Sequence, residues 1–180
     1  MAAPVNKPYV SVGAEVSAHA AINSQPVSDV PKTNSPLTQQ EIDQMLSLVN
    51  QRRAQAGKKP LQINGMLMNS AQAHSNYQLS INTMSHNDPR GDLCQRGYAA
   101  GLTKGEWNCP RENVAIGTGQ TIPQLMQLWF NSKPHLDNIL SEELYIGMGK
   151  AGDFYTHHFA SPLIELNAHV AAGIQVGGQH

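Results

Sequence analysis

The side chains most able to do chemistry in this chain are histidines, and there are eight: His19, His74, His86, His135, His157, His158, His169 and His180. Imidazole is the side chain most easily poised as base, acid or metal ligand near neutral pH. His86 and His135 stand close to Pro89 and Pro134, where the chain must change direction, and Glu112 lies in a stretch otherwise poor in acid. Two imidazoles and one carboxylate suit an open zinc site, with a position left for water. Spacing along the chain does not by itself bring these three together. The other reading of the same residues is structural, with the histidines hydrogen-bonded to Glu112 and tying one element to another. His74, beside Leu67 and Ala71 on a helical face, is expected to be a packed or hydrogen-bonded histidine. His157 and His158 are neighbours on a strand, so they point to opposite faces and cannot both enter one site. His19 and His180, in the terminal segments, are expected in solvent.

Other chemistries find little support. There is no G-x-S-x-G elbow for a serine hydrolase. Gly147-Met148-Gly149-Lys150 lacks the spacing and the hydroxyl residue of a phosphate-binding loop. Gly117-Thr118-Gly119 before a helix reads as a turn rather than an anion nest, and Arg90-Gly91-Asp92 as a turn rather than a recognition tripeptide. The two cysteines, Cys94 and Cys109, fit neither a four-ligand zinc spacing nor a C-x-x-C redox pair. On composition alone they are as easily two separate buried thiols as a bridge.

Composition narrows the class further. The 180 residues suffice for one domain with a real core. Charged residues make up only 14% and the net charge is −1, which is not the signature of a disordered acidic or basic chain. Lys and Arg are not clustered as phosphate binding needs, so nucleic acid is not an expected partner. No apolar run approaches the roughly 20 residues of a membrane span. No signal peptide is visible at the start, so the chain reads either as cytosolic or as a mature form.

The elements that must position these residues follow from period and punctuation. Residues 1–36 and 161–180 are rich in Pro, Gly and small residues and are expected as extended tails, leaving a domain at 37–160. Thr38-Gln39-Gln40-Glu41 is a capping box, followed by Ile42, Met45, Leu46 and Val49 at helical spacing and by Gly57 as the stop. Asn64 caps a second helix carrying Leu67, Ala71, His74 and Gln78. Thr121-Ile122-Pro123-Gln124 opens a third, stopped near Pro134, and a short helical turn follows over 135–140. Alternation predicts strands over 144–149 and 154–160, joined by Lys150-Ala151-Gly152-Asp153 as a hairpin, with a further strand at 111–116. Helices early and strands late argue for α+β layering.

At these residues the chain resembles the CAP superfamily, the cysteine-rich secretory, antigen 5 and pathogenesis-related proteins, also called SCP. Leu48-Val49-Asn50-Gln51-Arg52-Arg53 with Ala56-Gly57 and Pro60-Leu61 is similar to the family's opening helix. Leu67 and Ala71-Gln72-Ala73-His74-Ser75 resemble its second helix, and Met84-Ser85-His86, Gly91 and Arg96-Gly97-Tyr98 the histidine block after it. Glu112-Asn113-Val114-Ala115-Ile116-Gly117 matches the ENxAxG signature. Trp129, Ser132, His135, Asn138-Ile139-Leu140 and Ile146-Gly147-Met148-Gly149 follow in family order, and Tyr155-Thr156 with Phe159-Ala160 resembles the closing strand. The likeness covers roughly 38–160, in the short variety found in bacteria and some fungi. It departs from the family at Lys133-Pro134-His135-Leu136, where an arginine usually follows the histidine, and its closing block Phe154-Tyr155-Thr156-His157 does not assign a complete His/Glu tetrad.

The resemblance implies an α+β fold, a three-layer α-β-α sandwich of the CAP type with extended N- and C-terminal tails, and a secreted or cell-surface protein. In that setting Cys94 and Cys109 would be bridged. Carried over by position, His86, Glu112 and His135 would line a central cavity, with His86 and His135 ligating zinc or another divalent cation. The expected function is binding or interaction, with a small lipid, a sterol or an extracellular partner protein. Methionines at 45, 66, 68, 84, 126 and 148 would either line a lipid pocket or, more simply, fill the core. The alternative is a zinc-dependent hydrolase on His86, His135 and Glu112, with metal-bound water acidified to a pKa of about 7 and Glu112 as base.

Overall fold

The computed structural model describes residues 36–177 of the chain. The expected N-terminal tail at 1–35, and His19 and His180, lie outside the described residues. Among the described residues the elements follow one another as α1 Gln39–Gln55, β1 Gln62–Ile63, α2 Gly65–Ser80, α3 Leu93–Ala99, β2 Arg111–Ile116, α4 Ile122–Phe130, α5 Lys133–Ile139, β3 Tyr145–Ala151, β4 Phe154–Ala160 and α6 Leu163–Gly177. The caps expected from sequence hold. Thr38 Oγ1 accepts from the Glu41 amide while the Glu41 carboxylate accepts from the Thr38 amide, and Asn64 Oδ1 accepts from the amides of Met66 and Leu67.

The sheet order is β1-β3-β4-β2, with β1 parallel to β3 and the other pairs antiparallel. Gly152, at φ 56°, turns β3 into β4 in the expected hairpin. Alternation along the strands then divides the protein into layers. Ile146, Met148, His157 and Phe159 face the layer of α1, α4 and α5, packing with Met45, Val49, Leu125, Met126 and Trp129. Gly147, Gly149, Thr156, His158 and Glu112 face α2. The glycines matter here. A Cβ on Gly147 would lie 2.0 Å from the backbone of Leu67, and one on Gly149 2.4 Å from that of Ala71. Helix α2 therefore presses its backbone directly onto β3, which only residues without a side chain permit. The result is the α-β-α sandwich.

Four details differ from the reading of the sequence. Residues 163–177 form helix α6 rather than an extended tail. The Leu163, Leu166 and Val170 repeat after Pro162 carries it, and Tyr145 donating to Glu165 at 2.9 Å and His169 beside Glu142 at 3.2 Å attach it to the domain. The glycines at 173 and 177, which suggest a tail, fall only in its last turns. Pro134 does not stop α4, which ends at Phe130; it sits in the first turn of α5, where its missing amide is not needed. Strand β1 has two residues, too few for any alternation to show. Helix α3 has its own capping box, Asp92 with Gln95, in a segment whose glycines on either side mask a single short helix.

Candidate functional site

Glu112 is the centre of the polar network on the α2 face. It lies on β2, the edge strand, where a short strand between Pro110 and Gly117 leaves its neighbours within reach of both helical layers. Its side chain is 1% exposed. Nδ1 of His86 donates to Oε1 at 2.8 Å, and Oε2 accepts from Arg96 Nη1 at 2.7 Å and His158 Nε2 at 2.8 Å. Burial would raise its pKa, but the hydrogen bonds from His158 and His86, with Arg96, outweigh this and hold the carboxyl well below the usual carboxylate range.

Each partner is supplied by a different element. His86 comes from the loop after α2 and is 61% exposed, with its Nδ1 fixed on Glu112. The hydrogen bond to Glu112 raises its pKa, against opposing burial. Arg96 comes from α3, and its Nη2 also donates to the His86 carbonyl at 3.2 Å. His158 comes from β4 and is fully buried. Its Nε2–H donates to the carboxylate, so Nδ1 accepts, and the Ser70 hydroxyl at 3.0 Å is the donor. Ser70, His158 and Glu112 thus stand in the donor order of a nucleophilic triad. Ser70 is only 3% exposed, however, and burial lowers the His158 pKa despite the bond it donates to Glu112. A carboxylate already matched by Arg96 and His86 gives little further support to an imidazolium, so the chain acts as a strut between α2 and β4.

His74 completes this layer. Its Nδ1 lies 2.9 Å from Asp88 Oδ2 and its Nε2 2.7 Å from the Ser85 carbonyl, so both ring nitrogens face acceptors. Arg90 pairs with Asp88 through Nε and Nη2. Burial would raise the Asp88 carboxyl, but the bonds from Arg90 and His74 depress it far below its ordinary value. Together these contacts anchor the 81–92 loop, and with it His86, to α2. The bridge between Cys94 and Cys109 ties α3, and so Arg96, to the chain entering β2.

His135, from α5, reaches the edge strand from the opposite layer. Its carbonyl accepts from Asn113 at 3.0 Å, while Asn138 donates to the Glu112 carbonyl at 3.1 Å and to Asn113 Oδ1 at 2.8 Å. Its ring makes no bond to Glu112, and its buried Nδ1 has no partner. Burial and then the nearby charge of His86 lower its pKa. Of the three expected cavity residues, His86 and Glu112 are joined and His135 stands beside them. Among the described residues no group of three or more His, Cys, Asp or Glu is arranged to hold a metal ion. His74 was expected to be hydrogen-bonded, and is. His158 and Arg96 joined no candidate set in the sequence, because only the register of β2 against β4 and the placement of α3 bring them to Glu112.

The model of the cysteine-rich secretory protein family, CAP, matches residues 46–158. The chain belongs to the CAP family. The uncharacterized protein YkwD of Bacillus subtilis strain 168 is 31% identical over 119 residues, which is 64% of this CAP chain and 45% of YkwD. This chain therefore spans less than half the length of that relative. Among solved structures, an outer surface protein of Borrelia burgdorferi superposes with a TM-score of 0.62 at 18% identity, covering 72% of this chain and 99% of that one. An extracellular protein with an SCP domain from Bacillus anthracis does so with 0.62 at 25%, covering 71% and 45%. A cysteine-rich secretory protein of Staphylococcus aureus gives 0.55 at 22%, covering 68% and 39%. No helix among the described residues of this CAP protein is long and apolar enough to cross a membrane.

Proposed function

We propose that this CAP protein is an extracellular binding protein. Its working face is the exposed surface around His86 and Glu112, and His86 and His135 ligate zinc or another divalent cation there. The observation that carries the reading is the hydrogen bond from His86 Nδ1 to Glu112. A carboxylate behind a histidine fixes its tautomer and strengthens the other nitrogen as a donor, the usual second support of a metal ligand. His135 adds an imidazole whose pKa is lowered by burial and then by the charge of His86, which keeps it in the neutral form a metal ligand needs. Glu112 itself supports His86 rather than ligating, because both of its oxygens already accept hydrogen bonds. The bridged cysteines and the extracellular and outer-surface neighbours favour a location outside the cell.

Two partner classes fit this face, a small lipid or sterol and an extracellular protein. Met45 and Met126 are buried in the core, whereas Met84 and Ile81, in the His86 loop, are 47% and 41% exposed. Those exposed apolar groups beside a polar rim favour a protein partner. Hydrolysis finds less support, since Glu112 as a base would have to release the donors that depress it. Zinc titrated calorimetrically into chelator-treated protein tests the metal reading. Wild type should bind saturably, and His86→Ala and His135→Ala should each lose most of the affinity. Equal uptake by all three proteins overturns it. Competition with labelled sterol and fatty acid separates the partner classes, saturable displacement marking a lipid.

A further inference from the structure

Two histidines by themselves leave a zinc ion short of donors. His86 gives its Nδ1–H to Glu112, so Nε2 carries the free lone pair, on a side chain 61% exposed. Nδ1 of His135 is buried, which leaves Nε2 as its ligating atom. Both residues are held to the same stretch of β2, His86 by the Glu112 carboxylate and His135 by the Asn113 side chain on its carbonyl. The other histidines and carboxylates of the network are buried and already committed. His74 lies between Asp88 and the Ser85 carbonyl, and His158 between Glu112 and Ser70. Asp88 serves His74 and Arg90, and Glu112 serves His86, Arg96 and His158. Asp137 follows His135 by two residues, which in a helix is the opposite side, and pairs there with Lys133. Among the described residues the chain thus offers the metal two imidazoles. Structural zinc takes four protein ligands and catalytic zinc three, so two make half a site.

We infer that the other half comes from a second copy of this chain, His86 and His135 of two molecules holding one zinc ion between them. This rests on the reading of those histidines as metal ligands and names the partner that completes their site. A two-fold axis through the metal turns two identical pairs into four nitrogen donors, which fill a tetrahedral zinc site. The same axis sets the surface around His86 against itself. Met84, two residues before His86, and Ile81 are 47% and 41% exposed, so apolar groups meet apolar groups. A net charge of −1 gives the two copies little mutual repulsion. Two apolar side chains per copy cannot bury the roughly 1,200–2,000 Å² of a stable interface. The metal therefore supplies the rest of the affinity, and the zinc-free chain stays monomeric.

Sedimentation velocity of the chelator-treated full chain, with zinc chloride added, and native mass spectrometry to count the metal provide the test. Without zinc the chain should sediment as a monomer of 19.5 kDa. Half an equivalent of zinc should convert most of it to a dimer with one zinc ion per two chains, and excess EDTA should reverse this. Magnesium, which prefers oxygen ligands, should not replace zinc. His86→Ala and His135→Ala should each raise the zinc needed for half-dimerisation by at least about tenfold. Met84→Lys sets two like charges face to face across the axis and should weaken the dimer by at least about tenfold, with an unchanged circular dichroism spectrum. Zinc bound one per chain by a monomer would overturn the shared site and leave ligation by His86 and His135 standing. No uptake of zinc by any form would remove that ligation and the shared site together. A zinc dimer kept by both histidine variants, or unaffected by Met84→Lys, would also overturn the proposal.

Discussion

The two faces of the sheet use opposite physics to hold their helices. Towards α1, α4 and α5 the contact is apolar, with Trp129, Phe159, Met126 and Met148 all nearly inaccessible to water. Towards α2 the contact is made by glycine backbone and a polar network of Glu112, His158, Ser70, Thr156, Ser75 and Gln78. Consecutive residues on β4 make the difference plain. His158 has partners on both ring nitrogens. His157, on the other face, has none, and packs at 4.3 Å against the Trp129 ring. Burial, with the neighbouring His158, pushes the His157 pKa down to about 3. An apolar layer tolerates changes of shape but not charge, whereas a polar layer fails when one partner is removed.

The largest effect should come from breaking the polar face at its centre. Glu112→Ala leaves Arg96 buried and unpaired and should cost about 3–5 kcal/mol in denaturant unfolding. Adding Arg96→Met should recover a good part of this, because the orphan charge is then gone. A double variant no more stable than Glu112→Ala would mean that the network is not held by charge pairing. Next comes the glycine contact. Gly147→Ala forces α2 off the sheet and should cost about 3 kcal/mol, at the upper end for overpacking, because the obstacle is backbone. A cost below about 0.5 kcal/mol, the level of a neutral surface change, would show that α2 can move away freely.

On the apolar face the corresponding probe is His157→Leu. Removing two unpartnered buried nitrogens should stabilise the protein by about 1 kcal/mol at neutral pH. The acid behaviour is the sharper readout. With an unfolded pKa near 6.5 and a folded value of about 3, the unfolded state binds the extra proton between those values. The contribution of neutral His157 is present above pH 6.5 and is lost progressively as pH falls towards 3. His157→Leu should therefore flatten the acid limb of stability against pH in this window, and an unchanged slope would assign the acid sensitivity elsewhere. The smallest effect belongs to neither face. Lys133 and Asp137 pair on the surface of α5, and Lys133→Ala should change stability by less than about 0.5 kcal/mol. A larger loss would mean that the placement of α5, and so of His135, depends on that pair.

Much of this architecture was legible in the residues. The Thr38 and Asn64 caps, the α2 face and the hairpin at Gly152 all rest on local chemistry, since a cap or a tight turn is decided within a few residues. The pairing of Glu112 with His86 was among the readings offered, and the opposite pointing of His157 and His158 follows from the strand's period of two. The helix at 163–177 is carried by Leu163, Leu166 and Val170, and the glycines at 173 and 177 mask it in the sequence.

What local pattern could not reveal is everything that depends on register between distant segments. In the sequence Arg53 is simply the second of two adjacent basic residues in α1. In the fold it is fully buried and donates to the carbonyls of Lys59, Ile139, Ser141 and Glu143, joining α1 to the chain before β3. His158 becomes a partner of Glu112 only because β2 and β4 pair with those two residues opposite each other. Arg96 meets them only because α3 is fastened beside β2. The types and spacing of the residues settled which elements form and which side of each is apolar, because those are short-range preferences of backbone and burial. Which polar side chain satisfies which, and therefore where the site lies, waited on the packing of three layers, because hydrogen bonds act over about 3 Å and the chain brings their partners together only when the sheet has closed.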